Sequence, residues 1–315
     1  MTLQSIFSSD EFSDEGFNRP RWCGKESFYT TLRKWVPVVG TTPTQSLNSM
    51  NSSDLTTTTV SESSNINSIA YEIVWHDASS GNYSTLVSVD QLSIPDENGT
   101  TSKTLLIEDY TLSADRSKVL LFSDSKKVWR FRTRGSYWVL DLSNTGSQPL
   151  RRLGGKNSSH SDLMFATFCP NDSSKVAYVR NHNIYLEDVN TNESIALTTD
   201  GSDNLINGTF DWVYEEEFQM RNGFRWSPDG SRIAFWQIDQ EGVPVMTLIN
   251  NTDSLYSKVI PIPYPKTGQT NPSARVGVVS VDAEVRGRVG VQWLKITEDT
   301  RNNYIGDQNE VKSLI

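Results

Sequence analysis

The sequence predicts an all-β protein, a β-propeller of four-stranded antiparallel blades, and three observations carry that prediction. Helical apolar periodicity is almost absent over long windows. Short runs rich in Val, Ile, Tyr, Phe and Trp recur instead, at 118–123, 137–142, 175–180, 183–189, 232–238 and 243–249. Their length, and the Gly, Asn, Asp and Ser that bound them, are those of strands. A turn-plus-strand unit also repeats. Ser113-Ala114-Asp115-Arg116-Ser117 leads into an apolar run at Lys118, Cys169-Pro170-Asn171-Asp172-Ser173-Ser174 into one at Lys175, and Ser227-Pro228-Asp229-Gly230-Ser231 into one at Arg232. The basic residue therefore returns twice at an interval of 57 residues. Pro, Asp, Asn and Gly are turn chemistry, and a period of about 40–60 residues with several strands per unit marks a propeller. A β-sandwich with accidental similarity among its turns is the competing architecture.

Taken in order, residues 41–68 are almost all Ser, Thr and Asn and read as a flexible insertion inside the first blade, because they cannot bury enough apolar area to offset their ordering entropy. The second repeat copy gives the clearest blade. Strand 175–180, a turn at Asn181–His182, strand 183–189, a turn at Asn190–Asn192 and strand 194–198 make a meander. Residues 205–224 break this rhythm just before the third copy, and that break is where chemistry is expected.

Composition removes several function classes. Of 315 residues, 36% are hydrophobic and 21% charged, which is globular rather than disordered. A net charge of −9 argues against nucleic acid or an anionic membrane as partner. No apolar stretch approaches the roughly 20 residues of a spanning helix, and the first residues lack the pattern of a signal peptide. Cys23 and Cys169, expected as free thiols at strand starts, are too few for a disulfide scaffold or thiolate metal site. His76 and His160 in Ser-rich stretches, and His182 in a turn, are expected at the surface. No metal site, phosphate loop, dinucleotide fingerprint or Gly-x-Ser-x-Gly elbow is present, so neither a metal, a cofactor nor a catalytic residue is assigned to this chain.

Two constellations remain. Asp211-Trp212-Val213-Tyr214-Glu215-Glu216-Glu217 places three carboxylates in a row beside aromatic side chains. Keeping them ionised together is unfavourable unless a cation meets them, and the fitting cation is an ammonium, with three donors and no acceptor. An acidic surface turn is the plain alternative. Lys126-Lys127-Val128-Trp129-Arg130-Phe131-Arg132-Thr133-Arg134 is a basic run in an acidic protein. One of its arginines can hold a carbonyl or carboxylate with a rigid donor fork; a solvated hairpin edge is the alternative.

With those residues in view, the chain resembles the N-terminal propeller of the dipeptidyl peptidase IV family, bacterial-type branch. The resemblance rests on Asp211–Glu217 (DWVYEEE), GFRWSPDGSRIAF at 223–235, INNTDSLY at 249–256, IPYPKTGQTN at 262–271, Val128-Trp129-Arg130, YWVLDL at 137–142 and RWCGKESFYTTL at 21–32. It implies a serine exopeptidase that removes N-terminal dipeptides, usually with Pro or Ala second, built from an eight-bladed propeller and an α/β-hydrolase domain. It further implies that Glu216 and Glu217 bind the free α-amino group of a peptide, that Arg130 reaches the substrate's peptide carbonyl, and that Asp211, Trp212 and Tyr214 position the turn. Family members commonly form homodimers, and many are extracytoplasmic. On this reading residues 1–315 are a propeller region of about five blades, incomplete and lacking the hydrolase domain. The chain is then a fragment or truncated product, inactive alone. The alternative is a non-catalytic peptide- or protein-binding propeller; a glycosidase or a TolB-like scaffold would not need DWVYEEE at that point.

Overall fold

A computed structural model describes residues 20–23, 27–35, 70–95, 102–143, 150–156, 162–301 and 304–305. The predicted insertion at 41–68 and His160 lie outside the described residues. The chain divides into two units, Met1–Leu106 and Ile107–Ile315.

In the first unit, β1 (Arg21–Trp22), β2 (Phe28–Trp35), β3 (Ala70–Asp77) and β4 (Tyr83–Val87) form one antiparallel sheet in that order. β2 and β3 pair from Phe28 opposite Asp77 to Trp35 opposite Ala70. That register sets the buried carboxylate of Glu72 against Arg33, at 2.7 Å. It also stacks Tyr29 on His76, with ring centroids 4.7 Å apart, while Thr31 Oγ1 lies 2.9 Å from His76 Nε2. His76 is thus a partly buried sheet residue packed between neighbours, which corrects the expectation of a surface histidine. β5 (Ser93–Pro95) and β6 (Ser102–Thr104) pair as a small hairpin.

The second unit opens with a meander of β7 (Asp109–Leu112), β8 (Lys118–Val128), β9 (Phe131–Asp141) and β10 (Leu150–Arg152). A second meander follows, β11 (Leu163–Cys169), β12 (Asp172–Arg180), β13 (Asn183–Asp188) and β14 (Glu193–Ala196). β11 also pairs with β9 at Leu163–Gly135 and Met164–Arg134, so the two meanders share one sheet edge. The last sheet comprises β15 (Leu205–Asn207), β16 (Phe224–Trp226), β17 (Arg232–Asp239), β20 (Ser273–Ser280) and β21 (Gln292–Leu294). A separate hairpin of β18 (Val245–Asn250) and β19 (Lys258–Pro263) leaves it between β17 and β20. Among the described residues, two short helices complete the unit, α1 (Trp212–Glu216) and α2 (Ala283–Val289).

The apolar runs become strands because they are buried on both faces. Side chains alternate across a strand, and on β12 Val176 and Tyr178 cluster with Leu163 of β11 and with Leu120, Val139 and Leu153 of the preceding meander and the residue after it. Its Ala177 and Val179 meet Phe224, Ile233, Phe235 and Val279 of the following layer. β17 repeats the pattern, with Ala234, Trp236 and Ile238 directed into a third cluster containing Phe210, Tyr214 and Met220. Face-to-face stacking of successive sheets is the packing of propeller blades.

The repeated turns are alike atom by atom. Ser113 Oγ donates to Asp115 Oδ1 at 2.6 Å, and Ser227 Oγ to Asp229 Oδ1 at 2.6 Å. The backbone N–H groups of Ser117 and Ser231 close the same carboxylates at 3.1 and 3.0 Å. The middle copy is one residue longer, yet it sits between the other two. Ser173 Oγ donates to Asp115 Oδ2 at 2.8 Å, and Asn171 Nδ2 to the Pro228 carbonyl at 3.0 Å. Two details differ from expectation. β8 and β9 run to Val128 and from Phe131, taking the basic segment into one long hairpin. Cys169 ends β11 and Cys23 follows β1, so both cysteines stand at strand ends.

Candidate functional site

The break in blade rhythm is an excursion from one edge of β17. β15 pairs with residues 237–239 of that edge and β16 with residues 233–235, so the two short strands lie end to end. Residues 208–223 leave the sheet between them. Gly208 N–H donates to the Trp236 carbonyl, Trp236 N–H to that of Gly223, and Gly223 N–H to that of Gly208, each at 2.9 Å. A Cβ on Gly223 would lie 2.9 Å from the Gly208 carbonyl carbon, and Gly208 has φ +76°. Glycine at both positions lets the chain depart and return at one point.

Within the excursion, Asp211 caps α1 by accepting from Tyr214 N–H at 3.1 Å. Burial pushes the Asp211 carboxyl up to about 6. Phe210, Tyr214 and Met220 anchor the turn on Trp236 and its neighbours. The Tyr214 hydroxyl accepts from the Ile305 N–H at 3.0 Å, and Trp212 packs on Tyr264 with ring centroids 4.8 Å apart. Asp211 and Tyr214 thus fix the turn, as expected of them.

Helical geometry rotates successive residues by about 100°, so the three glutamates diverge. Glu215 points inward and is 2% exposed, Glu216 is half-buried and Glu217 is exposed. Neither Glu215 oxygen has a hydrogen-bond partner among the described residues. Burial, then the charge of Asp211, push the Glu215 carboxyl up to about 8, against the opposing pull of Arg221. At neutral pH it is chiefly a neutral acid. The separate fate of Glu215 is what sequence reasoning missed. The signal was its i, i+4 spacing from Asp211, which sets both on one face of a turn.

Arg130 arrives from the other side of the chain. Val128 pairs with Phe131, so Trp129 and Arg130 form a two-residue hairpin turn, with Trp129 at φ +52°. Arg130 Nε donates to Glu216 Oε2 at 3.0 Å and Nη2 donates to Oε1, a bidentate fork across 86 residues of sequence. The hydrogen bond and charge of Glu216 hold the guanidinium above its ordinary value. Glu217 has no ion-pair partner among the described residues. The structure therefore joins two of the three predicted residues, Arg130 and Glu216, and leaves Glu217 exposed next to them. His182 is half-buried, not a surface residue, and lines a separate polar cavity of about 300 Å³ with Arg134, Arg180 and Asp203. Its pKa is lowered by burial and then by Arg134. Among the described residues, no helix is long and apolar enough to cross a membrane.

Comparison with known proteins shows the family of the chain and the likeness of its fold. The family model described as "Dipeptidyl peptidase IV (DPP IV) N-terminal region" matches residues 113–309, more than half of the chain. Prolyl endopeptidase FAP of Bos taurus is 34% identical over 184 residues, 58% of this chain and 23% of that protein. Dipeptidyl aminopeptidase B of Saccharomyces cerevisiae is 36% identical over 182 residues, 56% of this chain and 21% of that protein. The matches thus span less than a quarter of the length of these relatives. In fold, the crystal structure of Porphyromonas gingivalis dipeptidyl peptidase 4 superposes with a TM-score of 0.68 at 23% identity, covering 95% of this chain and 35% of that one.

Proposed function

The chain belongs to the family of dipeptidyl peptidase IV N-terminal regions, and on that premise we propose that it is the substrate-selecting propeller portion of a serine dipeptidyl peptidase, one that captures a free peptide N-terminus through Glu216 and Glu217 beside Arg130. The observation that carries this reading is the Arg130–Glu216 fork next to an exposed Glu217. Two carboxylates and one guanidinium leave a single net negative charge, and Glu215, a buried acid, adds none. A peptide α-ammonium brings one positive charge and three donors. The guanidinium uses one acceptor direction on each Glu216 oxygen, and each oxygen keeps another. Donors of Arg130 not directed at Glu216 suit the carbonyl of the first peptide bond. Only a chain end supplies an α-ammonium beside a peptide carbonyl, so an amine held here with Arg130 on that carbonyl measures a fixed number of residues to the bond to be cut. Amine capture is assigned to these residues and bond cleavage to an α/β-hydrolase domain of the kind that the family resemblance implies.

The homodimer that family resemblance implies belongs to the same proposal. The β18–β19 hairpin supports it, exposing Val245, Ile249 and Val259 at 60%, 65% and 68%.

Calorimetry with alanyl-proline and its N-acetyl form tests the amine reading. The chain is expected to bind the free dipeptide and not the acetylated one. Glu217→Ala is expected to weaken binding about tenfold or more, the loss of a charge-assisted hydrogen bond. Equal heats for the two dipeptides would sink the proposal.

A further inference from the structure

Arg221 connects the two elements that carry the amine site by contacts other than the Arg130–Glu216 pair. Its guanidinium carbon lies 3.5 Å from the centroid of the Phe131 ring, next to Arg130 in the hairpin turn. Its Nη2 donates to Gln219 Oε1 at 2.8 Å, and Gln219 Nε2 donates to the Glu216 carbonyl at 2.7 Å. Gln219 adopts φ +57°, a left-handed conformation uncommon for a side-chain-bearing residue. That backbone reversal turns its amide back toward Glu216. The Arg221 Nε is buried without a hydrogen-bond partner among the described residues, as are both oxygens of Glu215, whose carboxyl feels the Arg221 charge. One planar cation therefore lies on the hairpin tip, reaches the backbone of the glutamate turn through one glutamine, and faces the buried acid of that turn.

We propose that Arg221 is a positioning residue, which registers the Arg130 hairpin tip against the Glu216–Glu217 turn and so sets how tightly a peptide ammonium is held. The inference rests on the amine-capture reading for its consequence, and on the contacts above for the coupling itself. A lysine cannot replace it, because an ammonium lacks the planar face and the fork that serve Phe131 and Gln219 together.

Amide hydrogen exchange read by mass spectrometry tests the coupling without any ligand. Arg221→Met keeps a long apolar side chain over Phe131 but removes charge and fork; Arg221→Lys keeps the charge. In both variants, exchange is expected to quicken together at 128–132 and 212–219, with the thermal midpoint within a few degrees of wild type. Faster exchange confined to 217–222, with the hairpin tip still protected, would overturn the proposal. Calorimetry with alanyl-proline tests the consequence: both variants are expected to bind about tenfold more weakly, as for groups coupled in one network. Unchanged affinity beside a loosened hairpin tip would also overturn it. Should the wild-type chain show no preference for the free amine over N-acetyl-alanyl-proline, the amine-capture reading falls and the exchange result alone decides whether Arg221 couples the two elements.

Discussion

Glu215 shows how one residue changes the meaning of an acidic string. Three adjacent carboxylates read as one charged cluster, yet burial separates the first from the other two. Its pKa of about 8 lies above the ordinary 4.5. Between those values the folded state holds a proton that the unfolded chain has released, so this group makes stability fall as pH rises from about 4.5 to about 8. Each tenfold gain in proton affinity on folding corresponds to roughly 1.4 kcal/mol at most. Asp211, raised to about 6 from 3.8, acts with the same sign over a lower window. Glutamine has the same shape and does not titrate. Urea unfolding of Glu215→Gln is therefore expected to show a flatter pH dependence from 6 to 8 and greater stability than wild type at pH 8.5. Parallel curves for the two proteins would mean that Glu215 is ionised in the fold.

At the scale of elements, the repeated turns are both the punctuation and the joints of the second unit. Each Asp gathers Ser hydroxyls and a backbone N–H, which makes the turn a locally closed hydrogen-bonded unit. Neighbouring turns then touch, and Gly230 packs against Cys169 of the middle turn. It has φ +70°, and a Cβ there would lie 2.4 Å from Cys169 Sγ. Gly230→Ala adds both backbone strain and a clash, with an expected loss of about 1–3 kcal/mol. Adding Cys169→Ala removes the clash and leaves the φ strain, so the double variant should recover part of that loss in chemical denaturation. Purely additive losses would show that the two turns do not press on each other.

For the second unit as a whole, the arrangement is stacked sheets, and among the described residues the excursion bearing the glutamates and the β18–β19 hairpin both leave them. The hairpin is the contrast to the blades. Val245, Thr247 and Ile249 share one face by alternation and pair with Pro263, Pro261 and Val259. Apolar area left in water favours association by about 25 cal/mol per Å² removed. If this face serves a homodimer, sedimentation of the wild-type chain should depend on concentration, and Val245→Lys/Ile249→Lys should shift it to monomer without lowering the thermal midpoint. A wild-type chain that stays monomeric at high concentration would remove the hairpin from the proposal.

The all-β class, the repeat and the turns were legible in the sequence alone, because these rest on local chemistry: short apolar runs bounded by turn residues, and Ser, Asp and Gly at fixed offsets. The sequence also marked 205–224 as an interruption and the acidic and basic strings by their charge pattern, and the family resemblance implied Arg130, Glu216 and Glu217 within them. How those residues meet was settled by long-range packing. The Arg130–Glu216 fork joins positions 86 apart, and no local rule predicts which arginine of a basic run will reach which glutamate of an acidic one. The inward turn of Glu215, the stacking of Arg221 on Phe131, the packing of His76 and the splitting of one edge strand into β15 and β16 are likewise products of register and packing. Side-chain burial depends on what the rest of the chain brings against a residue, and that is absent from the residue's own neighbourhood in sequence.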